Sequence, residues 1–413
     1  MAITIKTSGK NLCAGLQKVL KLKPNKVLPI LECIHALKAG NTLTLTSNNL
    51  ETCISTQVTV NEDGGDGEFL LPLRAYSMLQ LLKEIEAITI IADDIEVVIL
   101  YGNGNRLKCL GERAENFPGE KPTKILSSFT QDHKAFGKLL HTAKKFVSTD
   151  DLRPAMTGVL MTGKNIVATD AHRLIEMEFN PGVADLKCII PVDFINAFSI
   201  FESTVMVDIT EERIQAIDRK GTSLSCRWID ARYPDYQVVI PTENPLHIEL
   251  NKKEFLNNLR LALGIADASN RQIAISFFHE GRYELSAQNM ELFDEIILHG
   301  NCTFTVNDRD IAKFKISFNA LFLQQVLDVN GAELVTFEMD KPTKCMIMHA
   351  EGLQMLLMPL QLLNEEEVET IRKEAVEKLK QSDKAMQEDA QDVGATVVPF
   401  KKKVIIASVE RIN

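Results

Sequence analysis

At 413 residues, with 45% apolar and 25% charged residues and only 14 Pro and 21 Gly, the chain has the make-up of about three folded domains, which excludes a disordered or collagen-like polymer. No apolar run reaches the ~18 residues of a bilayer span, and Met1-Ala-Ile-Thr-Ile-Lys-Thr7 lacks the basic-then-apolar layout of a signal peptide, so a cytoplasmic protein is expected. A net charge of −10 repels nucleic acid on average, so any DNA role requires basic charge gathered on one surface.

The first predicted element is an amphipathic helix with Leu12 and Leu16 on its apolar face, inside a stretch from residue 10 to 26 that holds Lys10, Lys18, Lys21, Lys23 and Lys26 and no acid. A strand follows at Thr42-Leu-Thr-Leu-Thr46, then a second helix entered through Leu71-Pro-Leu-Arg-Ala-Tyr76, where Pro72 suits a helix start. The segment closes on Phe117-Pro118, and Gly119-Glu-Lys-Pro-Thr-Lys124 reads as a linker. The same order then returns. A helix carries Phe136 and Leu140, a strand covers Ile166-Val-Ala-Thr169, a second helix enters at Ile190-Pro-Val-Asp-Phe-Ile195, and Tyr233-Pro234 precedes the linker Pro241-Thr-Glu-Asn-Pro245. A third pass gives a helix with Phe255 and Leu259, a strand at Gln272-Ile-Ala-Ile-Ser276, a second helix after Ile316-Ser-Phe-Asn-Ala-Leu321 with Ser317 as the expected N-cap, and the close Met358-Pro359.

The helix anchors are offset by 124 and then 119 residues, so the chain divides into segments 1–125, 126–246 and 247–364 of like α+β fold. Residues 365–413 stand outside the repeat, with 11 acidic and 9 basic residues, a helix-permissive stretch to about Gln391 and a β-like end at Val404-Ile-Ile-Ala-Ser-Val409.

Basic residues recur on the first helix of each segment. Lys134, Lys138, His141 and Lys145 follow i, i+4, i+7 and i+11, which places them on one face, away from Phe136 and Leu140. Lys253 and Arg260 occupy the matching face of the third helix, as Lys10, Lys18 and Lys21 do near the first. Such a distribution suits sequence-independent contacts to phosphates; no recognition-helix or zinc-finger pattern is present.

For chemistry the chain offers one dense polar cluster, Thr169-Asp-Ala-His-Arg-Leu174. It has no phosphate-cradling glycine loop, no paired metal-ligand histidines and no evident nucleophile beside it, so it is expected to be a hydrogen-bonded turn at the border of a groove. An enzyme acting on nucleotides through Asp170, His172 and Arg173 is the alternative. The eight cysteines stand singly, without zinc-site spacing, and read as buried free thiols; neither a cofactor nor a metal is expected.

Over residues 1–363 the chain resembles the bacterial β sliding clamp family, the processivity subunit of DNA polymerase III. The resemblance rests on Leu28-Pro-Ile-Leu-Glu32, Thr42-Leu-Thr-Leu-Thr-Ser-Asn-Asn-Leu-Glu51, Arg153-Pro-Ala-Met-Thr-Gly-Val159, Ala168-Thr-Asp-Ala-His-Arg-Leu174, Tyr233-Pro-Asp-Tyr236 and Met358-Pro-Leu360, in order and spacing. It implies three tandem clamp domains, each with two helices packed on antiparallel sheets, closed as a head-to-tail homodimer into a ring around duplex DNA, with no catalysis of its own. The partners implied are double-stranded DNA, the polymerase catalytic subunit and a clamp loader; no membrane is involved. The resemblance also implies a partner-peptide groove between the second and third domains. Matching positions are Met156, Thr169, His172, Arg173 and Leu174 in the second segment, Pro234, Val238 and Val239 at the junction, and Asn319, Phe322, Leu356, Met358, Pro359 and Leu360 in the third. A flexible Met lip and apolar walls suit an extended hydrophobic peptide.

Three positions depart from the family pattern: Ala171 stands where Gly is usual, Val238 where a basic residue lines the groove, and Gln361 where Arg is frequent. The largest departure is the extension 365–413, expected either to cover the groove in part, to offer a second docking surface, or to fold on the outer face. A decoy that keeps the fold and blocks its groove is a further alternative. For ring closure, Leu79 and Leu82 near the second helix are expected at the contact.

Overall fold

A computed structural model describes residues 2–61, 64–81, 83–93, 95–120, 123–289, 292, 294–306 and 314–362, with the isolated positions 373 and 377. One order of elements occurs three times. First come β1 (Ile3–Thr7), α1 (Gly9–Val19), β2 (Cys33–Ala39), β3 (Thr42–Asn48), β4 (Thr52–Thr59), β5 (Gly67–Pro72), α2 (Arg74–Leu81), β6 (Ile88–Asp93), β7 (Glu96–Tyr101) and β8 (Asn105–Leu110). The second pass is β9 (Ile125–Gln131), α3 (His133–Ala143), β10 (Gly158–Thr162), β11 (Asn165–Thr169), β12 (Arg173–Glu178), β13 (Lys187–Pro191), α4 (Val192–Ala197), β14 (Val205–Thr210), β15 (Arg213–Asp218) and β16 (Ser223–Arg227). The third is β17 (Leu246–Asn251), α5 (Lys252–Ile265), β18 (Gln272–Phe278), β19 (Arg282–Asn289), β20 (Asp294–Val306), β21 (Lys315–Asn319), α6 (Ala320–Val329), β22 (Leu334–Met339), β23 (Met346–Ala350) and β24 (Leu353–Leu357).

Each helix pair packs on antiparallel sheets because its apolar stripe has the period of a helix and the facing strands alternate. Leu12, Leu16, Phe136, Leu140, Phe255 and Leu259 are fully buried, as their spacing predicts. Helix α1 lies directly against β4: a methyl group at Gly15 would sit 2.4 Å from Val58 Cγ2. Around α3 the core is aromatic, with Phe136 edge-on to Phe129 and Phe198 and stacked on Phe179.

The repeats are joined by strands. The fourth strand of one repeat pairs antiparallel with the last strand of the next, β4 with β16 and β12 with β24, which produces an eight-stranded and a twelve-stranded sheet beside the four-stranded sheet β1-β6-β7-β8.

Two expectations change. Ser317 does not cap α6; it lies buried in β21, held by Gln272 Nε2 at 2.7 Å, and Asn319 is the cap, accepting from the backbone N–H groups of Leu321 and Phe322. Pairing of β21 with β18 extends the strand through Asn319 and so delays the helix by two residues. Leu79 is a core residue rather than a contact surface, because α2 turns it inward toward α1; Leu82 lies outside the described residues.

Candidate partner-peptide groove and nucleic-acid surface

The cluster 169–174 is a side-chain-stapled turn. Asp170 Oδ1 accepts the backbone N–H groups of His172 (3.0 Å) and Arg173 (2.9 Å), and Thr169 Oγ1 accepts from Ala171 N while donating to the Arg173 carbonyl. To close it, Ala171 adopts φ 72°, a left-handed conformation that glycine takes without steric penalty. The first repeat builds the same turn: Asn49 Oδ1 accepts from Glu51 N and Thr52 N, and Leu50 has φ 78°.

Arg173 points away from solvent. Its Nε donates to Asp170 Oδ2 at 2.9 Å and Nη2 to the Lys145 carbonyl at 2.7 Å, while Nη1 donates to Gln325 Oε1 on α6. The guanidinium lies 5.0 Å from the Phe146 ring centroid and 4.4 Å from that of Phe322. Arg173 is therefore a strut across the junction of the second and third repeats, not an exposed groove cation. Gln325 and Phe146, its partners, carried no sequence signal for this role.

The other expected groove residues divide into floor and rim. Thr169, Leu174 and Leu356 are buried, and Leu174 and Leu356 share a small separate core with Val167, Tyr233 and Cys345, so they support the groove from below. Val238 (78% exposed), Val239 (51%) and Met358 (39%) are exposed apolar side chains, and Met156, Pro234, Pro359, Leu360 and Phe322 are half-buried. His172 is exposed and stacks on Phe322 with centroids 6.0 Å apart. The closing segment is fixed by main chain: Met358 N donates to the His172 carbonyl and Leu360 N to the Ser317 carbonyl, each at 2.8 Å. Asn319 reaches the groove indirectly, by capping the helix that carries Phe322 and by donating to the Asn270 carbonyl at 2.9 Å. On the junction side, Tyr236 donates to Glu176 Oε1 at 2.8 Å; burial, and then Glu176, push its phenol up to about 12, so the bond holds at neutral pH.

The basic helix faces differ from one another. Lys10 and Lys21 are exposed, whereas Lys18 is half-buried and lies 3.7 Å from Glu202, which also accepts from Lys220 at 2.9 Å. These two lysines, Lys220 foremost, hold the Glu202 carboxyl below its usual range, so part of the Lys18 charge is neutralised. Lys134, Lys138, His141 and Lys145 are all exposed on one side of α3 and the turn after it. Loss of solvation, and then Lys144, hold the His141 imidazole below its usual range, so it is neutral at pH 7. Lys253 and Arg260 are exposed on α5.

A catalytic use of the turn does not fit this geometry. Asp170 is occupied by three N–H groups, Arg173 is buried against two rings, and His172 faces outward onto Phe322. The eight cysteines are all buried, and burial raises the thiol pKa of Cys33 to about 11 and of Cys53 to about 12. Among the described residues no helix is long and apolar enough to cross a membrane.

Comparison with known proteins places this architecture. The chain is 24% identical over 337 residues to the β sliding clamp of Chlamydia muridarum, covering 78% of this chain and 88% of that one. It is 22% identical over 373 residues to that of Haemophilus influenzae, covering 86% and 99%. The crystal structure of DNA polymerase III subunit beta from Pseudomonas aeruginosa superposes with a TM-score of 0.80 at 21% identity, covering 88% of this chain and 100% of that one. The chain is a relative of the bacterial β sliding clamps. A Pseudomonas aeruginosa sliding clamp bound to griselimycin matches with a TM-score of 0.79 at 20% identity, covering 88% and 100%. No family model matches the chain. The solved clamp is covered end to end by 88% of this chain, and the helix and strand expected in the C-terminal extension lie outside the described residues.

Proposed function

We propose that the chain is a DNA sliding clamp: two copies close head to tail around duplex DNA, and the groove at the junction of the second and third repeats tethers a polymerase catalytic subunit and other DNA enzymes. The carrying observation is the repeated seam. Two of the three fourth strands pair with the last strand of the next repeat, which among the described residues leaves the outer edge of β20 before Cys302 and the outer edge of β8 as the remaining pair of that kind. Within one chain these belong to the last and first repeats, so a second copy completes both seams by the same pairing.

Side chains at the two edges are complementary. Strand β8 exposes Arg106 and Lys108 and β20 exposes Asp294 and Glu295, while Leu110 (53% exposed) and Ile297 (50%) offer apolar contact. Division of the chain at 125, 246 and 364 belongs to the same reading, as does assignment of Lys10, Lys21, Lys134, Lys138, Lys145, Lys253 and Arg260 to a DNA-facing lining. A ring holds DNA by topology, so weak phosphate contacts suffice and an acidic protein can slide. The role entails a clamp loader as a partner and a cytoplasmic location.

Light scattering over a dilution series tests closure: a mass of twice 46.2 kDa is expected. Loaded protein should resist a salt wash on nicked circular DNA and be lost when the circle is linearised. A monomer at every concentration, or equal retention on both DNA forms, would sink the proposal.

A further inference from the structure

We infer that the groove has an occupant within the same chain: the apolar segment Val397-Val-Pro-Phe400 of the C-terminal extension docks there and competes with partner peptides. This deepens the proposed function and rests on its reading of the groove.

Three observations carry it. Val238, Val239 and Met358, which the proposed reading assigns to the groove, are exposed apolar side chains, and Pro234, Phe322 and Leu360 of the same reading are half-buried. An exposed patch of this kind marks a docking site. Second, the close of the third repeat is fixed by main chain, and the extension follows it directly: Leu360 N is bonded to the Ser317 carbonyl and the Gln361 carbonyl accepts from Gln272 at 2.9 Å. Third, the Pseudomonas aeruginosa clamp structure is covered completely by 88% of this chain, which leaves a share about the size of the extension outside the matched fold.

The extension contains few apolar runs. Between Asn364 and Ala395 apolar residues stand singly or in pairs, Ala375-Val376 and Ala385-Met386, among acids and lysines, and Val397-Val-Pro-Phe400 follows as a compact apolar run containing proline, the composition that an extended groove ligand has. Proline reduces the entropy lost when such a segment is held extended. The adjacent Lys401-Lys-Lys403 is complementary to the exposed Asp235 at the groove's junction side. Thirty-four residues lie between Leu362 and Val397, and a linker of that length has an end-to-end distance of about 30 Å. The segment is thereby held at an effective concentration on the order of 1 mM, enough for a weak cis contact to oppose a peptide arriving in trans.

The test uses the full-length protein, the full-length Val398→Asp/Phe400→Asp variant, and griselimycin, the ligand of a matched Pseudomonas aeruginosa clamp, as the probe in titration calorimetry. Expected is binding to both, tighter in the variant by about tenfold. Equal affinities would overturn cis docking and leave the groove reading intact, whereas no binding to either protein would overturn the groove reading as well. A second measurement is independent of the probe. Because all eight native cysteines are buried, Val238→Cys with Val398→Cys in the full chain should form an intramolecular disulfide in oxidised glutathione faster than Leu152→Cys with Val398→Cys. Equal rates for the two pairs would refute the contact.

Discussion

The guanidinium of Arg173, on β12, lies 4.4 Å from the centre of the Phe322 ring on α6 and donates to Gln325 one turn further along that helix. Packing and hydrogen bonding thus join two repeats at one side chain, and the same contact sets the Phe322 ring on which His172 rests. Arg173→Met should destabilise the protein by about 3 kcal/mol, because Asp170 loses its partner inside the junction. Arg173→Lys should recover little, since an ammonium cannot serve Asp170, Gln325 and the Lys145 carbonyl while stacked between rings. Urea unfolding of the three proteins measures both effects; a lysine variant as stable as the parent would show that Arg173 acts only as a charge.

Ala171 sits at φ 72° between the two N–H groups that staple its turn. Relief of the left-handed penalty exceeds the extra chain entropy of glycine, so Ala171→Gly should stabilise by about 0.5–1 kcal/mol. Leu50→Gly, at φ 78° in the equivalent turn, should act with the same sign. Denaturation midpoints at constant m-value decide this; a loss of stability in both variants would contradict it.

His141 shares its face with three lysines but is held neutral at pH 7 by lost solvation and by Lys144. A depressed imidazole pKa means that the positive charge appears only below the ordinary value of 6.5. At pH 7.5, His141→Ala should leave duplex-DNA affinity unchanged, while His141→Lys should steepen the dependence of log K on log salt by about 0.9. As acidification below 6.5 carries the imidazole through its depressed titration, the parent should come to bind more tightly than His141→Ala. Identical behaviour of those two proteins across the whole acid range in which the protein stays folded would remove His141 from the DNA surface.

Burial raises the thiol pKa of Cys226 and Cys302 to about 11 each, and Cys188 shifts further in the same direction. At pH 8 the native protein should give almost no reaction with an aromatic disulfide reagent, and the unfolded chain should release eight equivalents. A fast-reacting thiol in the native protein would identify a cysteine that local opening exposes.

Leu110 and Ile297 lie on the two strand edges assigned to ring closure. Leu110→Asp or Ile297→Asp should halve the solution mass without lowering the unfolding temperature of the monomer, because neither side chain belongs to a core. Charge exchange, with Lys108→Glu and Glu295→Lys in one chain, should restore association relative to either single change. Persistence of the dimer in both aspartate variants would move the interface elsewhere.

The amino-acid sequence by itself determined the three repeats, the two helices of each and their buried faces, because helix period and strand alternation are properties of neighbours in the chain. It also determined that 169–174 is a turn, since Asp170 and Thr169 bond to backbone groups within four residues. Tertiary structure alone decided what the turn does. Arg173 is internal because Gln325, 152 residues away, arrives beside it, and Leu174 and Leu356 became floor rather than rim because β12 and β24 pair. Lys18 is screened by Glu202 of the second repeat for the same reason. Local pattern specifies which face of an element is apolar; which other element meets that face, and with what charge, is set only when distant segments share space.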